Sequence, residues 1–221
     1  FSDYISSKLS IYKYCQFSTV NLDVDLANGV DGDNYYGIES SNLRCDFIAK
    51  QNGNTYEVFH KGNRLITSDD LKVVGRHNIE NLLAALTLGY RFGLSLKVMT
   101  QAAIDFKGLE HRLEFVSTIN NIDYYNDSKS TNAISTITAI NALFEKYNNL
   151  TLIAGGISKK EDYSELFKLI NEKVNAVVLI GECSSDFSKQ ITAPHVEVVK
   201  SMKKAASMAT SMAEGGAVLL S

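Results

Sequence analysis

From Leu109 onward, short and almost wholly apolar runs alternate with segments of helical period, and nothing else in the sequence restricts the fold so tightly. Leu150-Thr151-Leu152-Ile153-Ala154, Ala176-Val177-Val178-Leu179-Ile180-Gly181 and Ala217-Val218-Leu219-Leu220 lack the polar alternation of a half-wetted strand. Strands of that kind need cover on both faces, as in a parallel sheet between helical layers. Helical patterns fall over 131–146, near 162–173, near 183–190 and over 201–213. Ile122-Asp123-Tyr124-Tyr125 and Val196-Glu197-Val198-Val199 add two strands. In the first helix, Ile134, Ile137, Ile140 and Phe144 mark the expected buried stripe. The expected fold class for this part is α/β, a Rossmann-like, mostly parallel sheet with helices on both faces.

Residues 1–108 read as a separate, partial α+β piece, so the chain divides into 1–108 and 109–221. Tyr4, Ile5, Leu9 and Tyr12 fall at helical spacing with Asp3 as a cap, and Thr19–Val24 alternates like a strand. Two β-type runs, Cys45–Ala49 and Thr55–His60, flank Asn52-Gly53-Asn54, a hairpin signal. Residues 78–91 return to a helix with Leu82, Leu83, Leu86 and Tyr90 near one face. Both ends read as cuts. Phe1-Ser2-Asp3 enters a helix without an initiator Met, and the last strand stops where a functional loop would follow in a parallel sheet. A piece of a longer protein is expected.

With 22 Lys and Arg against 25 Asp and Glu, the net charge of −3 argues against a basic surface for nucleic acid. No apolar run approaches the roughly 20 residues that insert across a membrane. Cys15, Cys45 and Cys183 are too scattered for a disulfide framework or a CxxC pair, and read as the reduced thiols of a cytoplasmic protein.

The densest chemical signal is Asn126-Asp127-Ser128-Lys129-Ser130-Thr131-Asn132, directly after a strand and before a helix. One of these residues would suffice to cap the helix. The loop offers an acid, a base, three hydroxyls and two amides at the carboxyl edge of a strand, beside the N–H groups of a helix start suited to an anion. Gly155-Gly156-Ile157-Ser158-Lys159-Lys160 follows the next strand at the same edge; alone it is a Gly-rich turn, and with the first loop it outlines an anion-binding crevice. Asn78 and Asn81 lie three apart on one helix face, either as cap and surface residue or as readers of a purine edge. Arg112 stands at the domain junction, solvated or a phosphate clamp. Lys8 falls in line with Phe1, Tyr4 and Ile11 on an expected inward stripe, where a lysine either snorkels or is chemically modified. No G-x-x-x-x-G-K-S/T phosphate loop, G-x-G-x-x-G, HExxH or G-x-S-x-G occurs in the sequence.

Taken together, Gly75-Arg76-His77-Asn78-Ile79-Glu80-Asn81 with Ala84-Ala85, His111-Arg112-Leu113-Glu114, and Asn126 through Asn132 resemble the Mur ligases of peptidoglycan synthesis, over essentially the whole chain. The Asn-Asp-Ser-Lys-x-Thr-Asn loop is similar to that of the branch that adds D-glutamate; sister ligases carry other residues after the shared acid. The resemblance implies a three-domain ligase. Residues 1–108 would be the rear of its central ATP-binding domain and 109–221 most of its C-terminal domain, with the uridine-nucleotide domain and the phosphate loop lying outside. It implies ATP and Mg2+ as cofactors, D-glutamate and UDP-N-acetylmuramoyl-L-alanine as substrates, and a cytoplasmic monomer. It further implies that Asn81 contacts adenine and that Arg112 and Asp127 hold the phosphates and ribose of ATP. Lys129 and Thr131 would bind the acyl-phosphate end or the D-glutamate carboxylates, Lys159 would bind D-glutamate, and Lys8 would be carboxylated by CO2 to become a Mg2+ ligand. Ile157 departs from the family, which commonly has a less hydrophobic residue after the two glycines. Two other readings stay open: a non-catalytic nucleotide- or amino-acid-binding module, and a ligase like folylpolyglutamate synthase.

Overall fold

A computed structural model describes residues 2–24, 30–39, 45–159 and 161–221. The chain forms two compact units, Phe1–Lys72 with Arg76–Phe106, and Val73–Gly75 with Lys107–Ser221.

The first unit opens with α1 (Ser2–Leu9) and a 3-10 turn, Ser10–Lys13. It continues through β1 (Thr19–Asn21), β2 (Asn34–Ile38), β3 (Cys45–Asn52), β4 (Thr55–His60) and β5 (Asn63–Thr67), and ends with α2 (Arg76–Arg91) and α3 (Leu96–Asp105). The five strands form one sheet in sequence order, parallel from β1 to β3 and antiparallel from β3 to β5. The expected hairpin is present: Asn52 pairs with Thr55 across a two-residue loop whose Gly53 sits at φ +62°, a conformation in which glycine meets no Cβ penalty. The helix α2 buries Ile79, Leu83 and Leu86 against Phe47, Ala49 and Val58 of the sheet, while Leu82 and Tyr90 pack at the margin. The sequence reading did not single out α3, whose N-cap Ser95 accepts a hydrogen bond from the Val98 N–H.

The second unit contains β6 (Glu114–Ile119), β7 (Ile122–Asn126), α4 (Ala133–Phe144), β8 (Leu150–Gly155), α5 (Ser164–Lys173) and β9 (Ala176–Ile180). It closes with α6 (Ser184–Phe187), β10 (His195–Val199), α7 (Met202–Met212) and β11 (Gly216–Leu220). The sheet order is β10-β9-β8-β11-β7-β6, parallel except for β6, which is hairpinned to β7. The Asn120-Asn121 turn of that hairpin has φ +51° and +62°, within reach of asparagine. Residues alternate between two buried layers. Leu150, Leu152, Val177, Leu179 and Leu219 face α4 and α5, and Ile153, Val178 and Val218 face Ala205 and Ala209 of α7. Two covered faces account for the continuous apolar text of β8, β9 and β11, and the fold class is the expected α/β one.

One stripe is rotated. In α4 the buried residues are Ala133, Thr136, Ala139, Ile140, Ala142 and Leu143, whereas Ile134 is 74% exposed and Phe144 39%. Ile140 is fully buried and Ile137 packs on the core at its margin, as expected, but the buried face is turned toward Ala133, Thr136 and Leu143 and leaves Ile134 and Phe144 outside; the small alanines let the helix approach its neighbours closely. Side-chain size misled the reading at Ile134 and Phe144; the period itself holds.

Candidate functional site

The register places the candidate residues of the second unit at one sheet edge. Leu220 lies opposite Asn126 on one side and Ile153 on the other, and Glu114 lies opposite Asn126. The loop after β7, the loop after β8 and the segment before β6 therefore all stand at the carboxyl edge of the parallel strands. They bring Arg112, Asp127, Lys129, Thr131 and Lys159 to that edge, flanking the end of β11. This is the crevice position at which open α/β sheets bind ligands.

Asp127 is the anchor of the first loop. It is 8% exposed, its N–H donates to the Leu220 carbonyl at 2.7 Å, and its Oδ1 accepts from the Leu113 N–H at 2.9 Å. The Ser130 hydroxyl donates to Oδ2, and the Ser130 N–H to the Asp127 carbonyl at 2.8 Å. Much of this carboxylate is thus engaged by the protein itself. From the other side, the Lys129 N–H donates to the His111 carbonyl at 3.1 Å, and the Asn126 amide nitrogen donates to His111 Nδ1 at 2.8 Å. The His111 N–H in turn donates to Glu114 Oε2 at 2.9 Å.

These bonds hold a strained arc. His111 has φ +64° and Leu113 φ +46°, both in the left-handed region, which histidine enters more readily than most non-glycine residues and leucine only rarely. Such residues persist only where the surroundings over-determine them, and they cluster at functional sites. Between the two stands Arg112, exposed, its backbone fixed on both sides to the loop that carries Lys129. The sequence offers no signal for this arc, because no glycine marks it.

The second loop is shaped by backbone packing. Gly155, at φ +138°, could not bear a Cβ, which would lie 1.9 Å from the Ile180 carbonyl oxygen. The Gly156 N–H donates to that oxygen at 2.8 Å, and the Cys183 N–H donates to the Gly156 carbonyl at 3.1 Å. The diglycine thus seats the loop on the end of β9. Lys159 is exposed beyond it, as are Lys129 and Thr131 on the first loop. Among the described residues, none of Arg112, Lys129 and Lys159 has a carboxylate within ion-pair distance. Three uncompensated cations on neighbouring loops make an edge suited to anions.

The start of α4 is less open to an anion than its sequence implies. Asn132, not Thr131, is its N-cap and accepts from the Ser135 N–H at 2.9 Å. Glu161 Oε1 takes the Ala133 N–H at 3.1 Å, so a carboxylate of the chain already meets this helix end. Glu161 was not among the expected residues, since nothing in its neighbourhood of the sequence points to a helix 28 residues earlier.

Asn81 and Lys8 belong to the first unit. Asn81 is exposed on α2, and His77 and Asn78 lie in its first turn. Lys8 departs from expectation: α1 buries none of its residues, Tyr4 and Ile11 are 61% and 67% exposed, and the Lys8 ammonium stands 5.5 Å from the Tyr4 ring centroid. The inward stripe is absent among the described residues because α1 packs on no buried surface there. No group of three or more His, Cys, Asp or Glu among the described residues could hold a metal ion. No helix among them is long and apolar enough to cross a membrane.

A family profile described as Mur ligase, glutamate ligase domain matches residues 111–221. The chain is 35% identical, over 99% of its length and 50% of the relative, to a UDP-N-acetylmuramoylalanine--D-glutamate ligase of Marinobacter nauticus. It is 32% identical, over 99% of its length and 49% of the relative, to the protein of the same name from Clostridium botulinum strain 657. The chain thus spans about half the length of these curated relatives. Among solved structures, it is similar to the MurF ligase of Thermotoga maritima in complex with ADP, with a TM-score of 0.73 at 16% identity, covering 99% of this chain and 53% of that one. The UDP-N-acetylmuramate-alanine ligase of the same organism gives a TM-score of 0.69 at 17% identity, covering 99% and 50%. At such identities the structures speak for the fold, while the profile and the sequence relatives speak for descent. The sheet edge, the loop after β7 and the residues before β6 all lie within the stretch that these comparisons match, and on them the chain belongs to the Mur ligase family.

Proposed function

We propose that residues 1–108 are the rear of the central ATP-binding domain, and 109–221 most of the C-terminal domain, of a ligase that joins D-glutamate to UDP-N-acetylmuramoyl-L-alanine using ATP. The observation that carries this reading is the edge of the second unit, where Arg112, Lys129 and Lys159 lack carboxylate partners among the described residues. Every participant in such a reaction is anionic: nucleoside triphosphate, acyl phosphate and a dicarboxylic amino acid. The names of the sequence relatives supply the amino acid and the nucleotide.

The chemistry proceeds in two steps. The terminal carboxylate of the alanyl nucleotide attacks the γ-phosphorus of ATP, forming an acyl phosphate and releasing ADP. The amine of D-glutamate then attacks the acyl carbon; the tetrahedral intermediate collapses with loss of phosphate, and the amine gives up a proton. Arg112 holds the nucleotide phosphates, and Asp127 fixes the arc that presents it and faces the ribose. Lys129 stabilises oxyanion charge at the acyl centre, and Thr131 and Lys159 bind the glutamate carboxylates. Asn81 contacts adenine. The residues described here do not assemble a Mg2+ site by themselves, so no step is routed through that ion. Lys8 is assigned as the lysine whose carbamate would lend it one ligand.

The test is ADP release by the full-length protein. Turnover should require both D-glutamate and the alanyl nucleotide, and activity with another amino acid alone would reject the assignment. The 221-residue chain should show no turnover, because its sequence has no phosphate loop. Lys8→Ala in the full-length protein should abolish activity, with partial recovery in added short-chain carboxylic acid; an unaffected variant would remove Lys8 from the site.

A further inference from the structure

The loop that carries Lys159 is held by two side chains with no part in the reading above. The Lys159 N–H donates to Tyr163 Oη at 3.1 Å, and the Ser158 hydroxyl lies 3.5 Å from the same oxygen. Tyr163 cannot follow the loop if the loop moves. Its ring packs 4.9 Å from Phe187 and 6.0 Å from Phe167, against the buried core beneath α5 and α6. Its hydroxyl is therefore a fixed point on the body of the unit. Next to it, Asp162 Oδ1 accepts from the Ser164 N–H at 2.9 Å, which ties the end of the loop to the start of α5. On the far side, Glu161 Oε1 accepts from the Ala133 N–H, two residues beyond Thr131.

We propose that Tyr163 and Glu161 are positioning residues for D-glutamate: Tyr163 fixes the backbone of Lys159 to the core, and Glu161 fixes the same segment to the loop of Lys129 and Thr131. A dicarboxylic amino acid needs two cationic partners at a set separation. Two loops that drift independently would meet one carboxylate and miss the other. The struts make that separation a property of the fold, so that binding does not have to impose it. This deepens, and rests on, the assignment of Lys159 to D-glutamate.

The experiment is steady-state kinetics on the full-length enzyme. Tyr163→Phe removes one oxygen and keeps the ring packing. Loss of that bond should raise KM for D-glutamate about three- to tenfold while kcat and KM for ATP stay within about twofold. Glu161→Gln, which keeps an acceptor for Ala133, should behave like the parent, and Glu161→Ala should raise KM for D-glutamate alone. An unchanged KM for D-glutamate in Tyr163→Phe overturns the proposal, as does a uniform loss in all constants with a lowered Tm, which marks a merely structural hydroxyl. Lys159→Ala serves as the reference. If it raises KM for D-glutamate and Tyr163→Phe does not, only the positioning role is lost. If Lys159→Ala has no effect, the assignment of Lys159 falls and the positioning role falls with it.

Discussion

Replacing Asp127 by Ala separates an architectural carboxylate from one that serves only a ligand. Its Oδ1 accepts from the Leu113 N–H at 2.9 Å, its Oδ2 from the Ser130 hydroxyl, and the residue is almost fully buried. A hydrogen bond to a charged group contributes about 1.5–3 kcal/mol, and a buried donor left alone costs about 1–3 kcal/mol. The Ser130 hydroxyl is half-buried and can turn to water, so most of the loss falls on Leu113, whose buried N–H and φ of +46° lose their support together. Asp127→Ala should therefore destabilise the second unit by about 2–4 kcal/mol, whereas Asp127→Asn, which keeps an oxygen for Leu113, should cost about 1 kcal/mol. With an m-value near 2 kcal/mol/M, a loss of about 3 kcal/mol moves the urea midpoint by about 1.5 M. Urea unfolding followed by tyrosine near-ultraviolet dichroism reads the global effect, and hydrogen exchange at the Leu113 amide reads the local one. An Ala variant with an unmoved midpoint and a still-protected Leu113 amide would refute the reasoning. Equal losses in Ala and Asn would show that charge, and not the accepted bond, holds the arc.

Gly155→Ala combines a φ of +138° with a Cβ 1.9 Å from a carbonyl oxygen, while Gly53→Ala, at φ +62°, meets nothing within 4 Å among the described residues. Thermal unfolding should show a cost of about 3 kcal/mol or more for the first and about 1 kcal/mol for the second, and equal shifts would mean that the close approach to β9 is immaterial. Asp123 accepts hydroxyl bonds from Thr118 and Tyr147; burial pushes its carboxyl up, but those donors and the nearby Lys146 ammonium outweigh it and hold it below the ordinary 3.8. The stability this provides is present above that value and is lost as pH falls through the lower folded one, so Tyr147→Phe should cost about 1–2 kcal/mol at neutral pH and shrink the acid-dependent loss; an unaltered acid slope would exclude the coupling. In the first unit, His60 is buried with its ring 4.8 Å from Phe47 and 4.7 Å from Tyr90, and its Nε2 has no hydrogen-bond partner among the described residues. Burial, and then the charge of Lys61, hold its imidazole below 6.5 against the opposing pull of Asp46. Stability should therefore fall as pH drops below 6.5 toward the folded value, a slope that His60→Leu should flatten in urea titrations; a persistent slope would place the effect on another group.

How far the sequence carries depends on whether a feature is local. The strands β8, β9 and β11 were legible because cover on both faces leaves a run without polar alternation, and the β3–β4 hairpin because Asn-Gly-Asn satisfies a positive φ within three residues. The short β2 and β5 were not singled out, and they draw their strand character from partners on β3 and β4 more than from their own text. In α4 the expected face was right at Ile137 and Ile140 and wrong at its ends: Ile134 and Phe144 are exposed, and Ala133, Thr136, Ala139 and Leu143 take up the buried side, where the alanines permit close approach.

The site divides along the same line, and the division explains why strain appears where it does. A loop between a strand and a helix announces its position through the two periods that flank it, so Asp127, Lys129, Thr131 and Lys159 were placed at the carboxyl edge without coordinates. What those side chains do for one another was hidden, because each contact joins residues far apart in sequence: Asp127 to Leu113, Glu161 to Ala133, Asn126 to His111. An arc of His, Arg and Leu would not by itself choose two left-handed conformations, each costing on the order of 1 kcal/mol or more. The cost is tolerated because four bonds join the arc to the β7 loop and Glu114 and a fifth ties the Arg112 N–H to the Leu109 carbonyl, and the product of that convergence is one exposed arginine with a fixed backbone. Packing accounts for one side of the arc: Leu113 is buried in the core of the second unit, and a glycine there would relieve the strain only by giving up that side chain. His111 is exposed, and there the strain is held by polar contacts alone, from Asn126 on its ring, from Lys129 on its carbonyl and to Glu114 from its N–H, so a glycine at 111 would free the backbone on the N-terminal side of Arg112.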